Sequence, residues 1–170
     1  FPDGSNFAAV YTTSKVTSAN INWNLKIKRH FVKALFVNTK NANAFTGRKG
    51  AQGLKEVANT LAKSLTIKSS QEPKGVKDIV KITDLLFAST GVIGEEFPHT
   101  KIKNRIPELV KKLRIEQNKF VWFKAATSIM TTDTRPKLAY EECKIGSKLI
   151  KLSGIAKGSG MIAPNMATML

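Results

Sequence analysis

Residues 33–65 read KALFVNTKNANAFTGRKGAQGLKEVANTLAKSL. The stretch changes period twice. Lys33–Thr39 (KALFVNT) sets Ala34, Leu35, Phe36 and Val37 side by side, the pattern of a buried strand. Asn38–Gly50 is rich in Asn, Gly and Thr and reads as a loop. From Ala51 to Leu65 the apolar positions Leu54, Val57, Ala58, Leu61, Ala62 and Leu65 recur at i, i+3, i+4, i+7, i+8 and i+11, one face of a helix.

Downstream, Lys68–Lys77 is polar and carries Pro73 and Gly75, a surface loop. Ile82–Ser89 reads as a second strand, ending in Thr90-Gly91. Ile102–Leu113 is amphipathic on Ile102, Ile106, Leu109, Val110 and Leu113, with Pro107 taken to lie in its first turns. Asn118–Ile129 is a further helix, leading into the turn Thr131-Thr132-Asp133-Thr134. Leu138–Ile145 and Lys148–Ile155 flank Gly146-Ser147 as the arms of a hairpin. Upstream, Phe7–Thr12 reads as a short strand. Neither repeats nor an interdomain linker are evident. The mixture predicts an α/β (α+β layered) fold, mixed sheets flanked by helices, as a single domain over residues 1–170.

The chain is long enough for one domain with a real core. Its 42% apolar and 24% charged residues argue against disorder. No apolar run approaches a membrane span. No signal-peptide pattern is visible, although Phe1 in place of Met leaves a removed leader open. A single cysteine, Cys143, excludes an internal disulfide and fits a reducing compartment. His30 and His99 stand far apart with no ligand cluster, so no metal site is expected. The formal charge of +16 would attract nucleic acid, anionic lipid or small carboxylates, but the lysines are scattered without a dominant run, as on solvated faces.

Conventional catalytic signatures are missing. Lys157-Gly158-Ser159 is not a phosphate-binding loop, and GxGxxG, HExxH and GxSxG do not occur. Cys143 sits in an alternating strand pattern and reads as a packed thiol. Phe120, Trp122 and Phe123 beside Lys119 and Lys124 could stack on bases, yet the spacing of Val121, Ala125 and Ile129 favours core packing.

Gly154–Leu170 (GIAKGSGMIAPNMATML) is the unusual segment. Its glycines allow close backbone approach, and Pro164 stiffens the run before Asn165-Met166-Ala167-Thr168. A hydroxyl residue after a small one can attack the preceding carbonyl in an N-to-O acyl shift. Hydrolysis then frees a threonine amine that titrates at about pH 7 to 8 and can serve as base to its own hydroxyl. By residue type alone, an Ala-Thr pair is far more often an ordinary loop.

Ordered blocks supply the context. Lys157–Leu170 resembles the maturation region of the ornithine acetyltransferases, the bifunctional glutamate N-acetyltransferases of arginine biosynthesis. Asn38–Gly47 (NTKNANAFTG) is similar to their Asn-rich loop, with Thr39, Lys40 and Phe45 departing and Lys40 replacing a glycine. Ser89–Glu95 (STGVIGE) matches closely, with His99 and Thr100 departing just beyond it. Ile129–Lys137 (IMTTDTRPK) matches apart from Arg135, and Phe7–Thr13 adds weaker support.

The resemblance implies a self-cleaving acyltransferase fold of N-terminal-nucleophile type. Residues 1–170 would be the α-chain part of a precursor cut between Ala167 and Thr168, with the β chain beginning at Thr168. Thr168 would be the nucleophile, Thr90 and Gly91 the oxyanion hole, and Thr131, Lys157 and Thr168 the substrate contacts. The implied reaction moves acetyl from N-acetylornithine to glutamate through an acetyl-threonine, without metal or organic cofactor. Some members also accept acetyl-CoA, and the sequence does not tell the two kinds apart. The implied partners are the β chain and further copies, in a heterotetramer or larger oligomer, with neither nucleic acid nor membrane. Residues 1–170 by themselves would be inactive. The setting would be the cytoplasm of a bacterium or archaeon, or the mitochondrial matrix of a eukaryote. A self-cleaving amidase or aminopeptidase of related fold and a basic nucleic-acid-binding module are the competing readings.

Overall fold

A computed structural model of the chain describes residues 3–70, 79–113 and 118–158. The contacts fall into two compact units, Phe1–Val10 with Ser14–Ile115, and Tyr11–Thr13 with Glu116–Leu170. Both mix helix with sheet, as the α/β reading expects.

The first unit is built on a parallel β-α-β crossover. Strand β3 (Ala34–Asn38) runs through helix α2 (Gly47–Ser70) to β4 (Leu85–Ser89), in register from Ala34 opposite Leu85 to Asn38 opposite Ser89. Two-residue strands β1 (Ser5–Asn6) and β2 (Phe31–Val32) pair antiparallel beside it. The expected strand over Phe7–Thr12 is not formed; pairing stops at Asn6, and Phe7 makes only a single backbone bond to His30. Ile82–Asp84 is a turn of 3₁₀ helix, so the predicted strand starts three residues late, because Asp84 folds back to accept the Lys81 N–H at 2.8 Å.

The predicted face of α2 is the core. Leu54, Val57, Ala58, Leu61 and Ala62 are buried with Val80, Leu85, Phe87, Phe97, Ile106 and Val110, and Leu65 packs against them. Helix α2 reaches Ser70, past the loop expected from Lys68. The cause is tertiary. The Lys68 Nζ donates to the carbonyls of Val110 and Leu113 at the end of α3 (His99–Lys111), a cation on the negative end of a helix. In α3, Pro107 lies in the second half instead of the first turns, on an exposed side where water can satisfy the carbonyl its missing N–H leaves. Ile106 and Val110 face the core, while Leu109 and Leu113 are exposed.

Strand β3 is not the buried strand its composition predicts; Leu35 is 54% exposed and its neighbours half-buried. β4 carries the burial instead. Its far side is closed by α1 (Ala19–Asn24), whose Asn24 side chain both donates to Phe87 O at 2.9 Å and accepts from Phe87 N at 3.0 Å. Trp23 stands edge-on to Phe87, with centroids 5.4 Å apart, and its Nε1 donates to Leu85 O. One amide and one indole thus occupy the place of a neighbouring strand.

The second unit holds α4 (Lys119–Ser128) and the hairpin β5 (Lys137–Ile145) and β6 (Lys148–Ala156). Asn118 caps α4 by accepting the Val121 N–H. The hairpin is paired throughout, from Ile145 opposite Lys148 to Lys137 opposite Ala156. Gly146, at φ 59°, takes the first central place of the turn with Ser147 at negative φ, as a type II′ turn requires. Two expectations change here. Among the described residues the hairpin pairs only with itself, so Cys143 is exposed, not packed. On α4 the buried residue is Ala126, with Ile129 buried just past its end; Val121, Phe120 and Phe123 are exposed and Ala125 is half-buried.

Candidate active-site elements

The first element is the turn after β4. Its backbone is laced to the Asn-rich loop after β3. Thr90 N donates to Asn38 O at 3.1 Å, Val92 N to Lys40 O at 3.1 Å, and Ala42 N to Val92 O at 2.9 Å. Gly91 adopts φ 134°, and a Cβ there would lie 2.2 Å from the Lys40 carbonyl carbon. Only glycine fits so close a backbone approach. Gly91, which the family resemblance implies for an oxyanion hole, therefore has a packing duty of its own.

The Asn-rich loop is held from within by its amides. Asn43 is fully buried at φ 44°. Its Nδ2 donates to Asn20 Oδ1 at 3.1 Å, and its Oδ1 accepts from the Thr46 hydroxyl at 2.8 Å. Asn41 Oδ1 accepts the Asn43 N–H, and its Nδ2 reaches the carbonyls of Glu95 and Glu96. Asn38 Nδ2 donates to Asn41 O, and the Ser89 hydroxyl to Ala42 O. Asn tolerates left-handed backbone while its side chain replaces missing backbone partners, which explains the composition of this loop. Lys40 and Phe45 also stand at positive φ, 73° and 58°. Lys40 thus keeps the backbone conformation that a glycine adopts freely.

A cleft of about 380 Å³ opens nearby, lined in part by Phe45, Lys49, Gly53, Glu56, Glu95 and His99. Glu56 on α2 pairs with Lys103 on α3, with His99 Nε2 3.9 Å away. The Lys103 hydrogen bond holds the Glu56 carboxyl below its ordinary range.

The second element lies in the second unit. Thr131 and Lys157, both expected to contact substrate, are brought together: Lys157 Nζ donates to Thr131 Oγ1 at 2.6 Å. Beneath them sits Asp133. Its Oδ1 accepts from Lys137 Nζ and from the Gly158 N–H, each at 2.7 Å, and its Oδ2 accepts the Thr131 N–H at 3.3 Å. The Asp133 carboxyl is held well below the usual carboxylate range, first by the Lys137 hydrogen bond and then by the Gly158 amide. The sequence reading names Asp133 only as part of a turn. Its Asx-turn position was the available signal.

Thr90 and Gly91 belong to the first unit, and Thr131 and Lys157 to the second. Ala167 and Thr168, the expected cleavage pair and nucleophile, lie outside the described residues. Among the described residues no group of three or more His, Cys, Asp or Glu side chains gathers at metal-binding distance, and no helix is long and apolar enough to cross a membrane. Two aromatic faces of this unit, one of them a stacking candidate, carry the chain's own cations. Lys124 lies 4.5 Å over Phe120, and Lys119 lies 4.7 Å over Tyr140.

Comparison with known proteins agrees with the blocks read in the sequence. The model of the ArgJ family matches residues 2–170. The arginine biosynthesis bifunctional protein ArgJ of Caulobacter vibrioides is 40% identical over 177 residues, covering 100% of this chain and 39% of that protein. The protein of the same description from Nitrobacter winogradskyi is 41% identical over 173 residues, with 99% and 37% covered. The chain spans about two fifths of the length of these curated relatives. Among solved structures, ArgJ of Bacillus halodurans superposes with a TM-score of 0.79 at 28% identity, over 98% of this chain and 78% of that one. The ornithine acetyltransferase of Mycobacterium tuberculosis, complexed with ornithine, gives 0.76 at 25% identity, over 97% and 78%. On the family match over nearly all its length, the chain belongs to the ArgJ family.

Proposed function

We propose that this chain is the α part of a self-cleaving acetyltransferase of arginine biosynthesis. The observation that carries the reading is the contact of Thr131 with Lys157, two residues 26 apart in sequence that were assigned to one task and meet at 2.6 Å in a member of the ArgJ family. Lys157 suits the carboxylate of an amino-acid substrate as a compact cation on a long stem.

In this reading the precursor breaks between Ala167 and Thr168. The freed Thr168 amine takes the proton of its own hydroxyl, and the oxygen attacks the acetyl carbon of N-acetylornithine. The Thr90 amide is committed to Asn38, so Thr90 would offer its hydroxyl and Gly91 its N–H to the developing oxyanion. One such donor contributes roughly 3 kcal/mol to the transition state. Ornithine leaves with a proton, and glutamate then collects the acetyl group from the Thr168 ester. The α and β chains would associate into a heterotetramer or larger oligomer. Acetyl-CoA is a second candidate donor. No metal or organic cofactor takes part.

Mass spectrometry of the complete gene product tests this. The wild type should separate into two chains between Ala167 and Thr168, and Thr168→Ala should stay whole and transfer nothing. Product analysis should find N-acetylglutamate. Free acetate with water as acceptor would favour the amidase reading. An uncut wild type that transfers acetyl at full rate would end the proposal.

A further inference from the structure

The Asp133 carboxylate joins two segments that the chain separates by the whole hairpin. It holds the Thr131 amide on one side and the Gly158 amide on the other, takes Lys137 Nζ at 2.7 Å, and lies 3.9 Å from Lys157 Nζ. Its side chain is 1% exposed and that of Lys157 is 10% exposed. A buried carboxylate with this many donors is a fixed anion, unlike a surface ion pair that opens and closes freely. Lysine, by contrast, has a flexible four-carbon stem that does not aim itself. Here the stem is aimed from both ends. The Asp133 bond to Gly158 sets the backbone next to Lys157, while the Thr131 hydroxyl and the nearby carboxylate set the ammonium.

We propose that Asp133 is a positioning residue for Lys157, holding its ammonium where the carboxylate of the amino-acid substrate binds. The inference rests on the reading of Lys157 as a substrate contact. Asp133 touches no reacting atom and acts only through its neighbours. Its removal should therefore weaken substrate capture and spare the chemical step.

The test is a double-mutant cycle on the complete gene product, with glutamate as the varied substrate. Asp133→Asn should raise KM by about tenfold while kcat changes less than about twofold, and in a Lys157→Ala background it should shift KM by less than about twofold. If Lys157→Ala raises KM but Asp133→Asn is silent, or multiplies KM equally in both backgrounds, the Asp133 inference falls and the substrate role of Lys157 stands. If Lys157→Ala leaves KM unchanged, both fall together. Should the Asn variant fail to fold, Asp133→Glu keeps the charge and moves it by one methylene. It should raise KM less, and again only where Lys157 is present; an equal rise in both backgrounds overturns the inference.

Discussion

At residue scale, the two positions that govern the first candidate element are Gly91 and Lys40, which touch through their backbones. Gly91→Ala combines a conformation side chains avoid with a Cβ 2.2 Å from the Lys40 carbonyl carbon. Strain of this kind costs about 1–3 kcal/mol before the overlap is counted. We expect Gly91→Ala to lower the urea midpoint and to abolish acetyl transfer. As its counterpart, Lys40→Gly removes a left-handed lysine and should stabilise by up to about 1 kcal/mol. The sequence makes both residues visible, one as a motif glycine and the other as a departure from glycine. It does not reveal why they matter together, because the reason is a contact across 51 residues of chain.

At element scale, periodicity was a good guide wherever the element buries a face inside its own unit. Helix α2 follows its predicted face, and the hairpin follows its predicted turn. Ile106 shows the same on α3. It is fully buried against α2, and Ile106→Ala should cost about 2–5 kcal/mol, read as a fall in the denaturant midpoint with an unchanged slope. Pattern failed where a single side chain overrides it. Lys68 extends α2 by capping another helix, and Asp84 delays β4 by one turn. It failed too for Cys143 and Val121, where alternation and helical spacing presuppose a covering layer that the second unit's described residues do not supply. Pairings as short as β1 with β2 carry no periodic signal at all.

For the whole molecule, the charge of +16 is the property that most invites another function. Among the described residues part of its acidic minority is spent on pairing, as in Glu56 with Lys103 and Asp133 with Lys137, and most lysines lie exposed. We therefore expect weak retention on duplex DNA that disappears by about 0.2 M salt, with acetyl transfer unchanged by added duplex. Tight binding that survives such salt would restore the nucleic-acid reading.

The hairpin of the second unit works as a ruler. Its arms, roughly 30 Å long at the usual rise of a strand, are counted out from one two-residue tip. That count alone decides which residues arrive opposite one another at the open end, where Asp133 clasps Gly158. A single residue inserted at Gly146 would move one arm by a notch and leave the clasp closing on the wrong partner. Removing two successive facing pairs, such as Cys143 with Ile150 and Lys144 with Leu149, would shorten both arms equally, preserve the alternation of the ladder and keep the clasp intact.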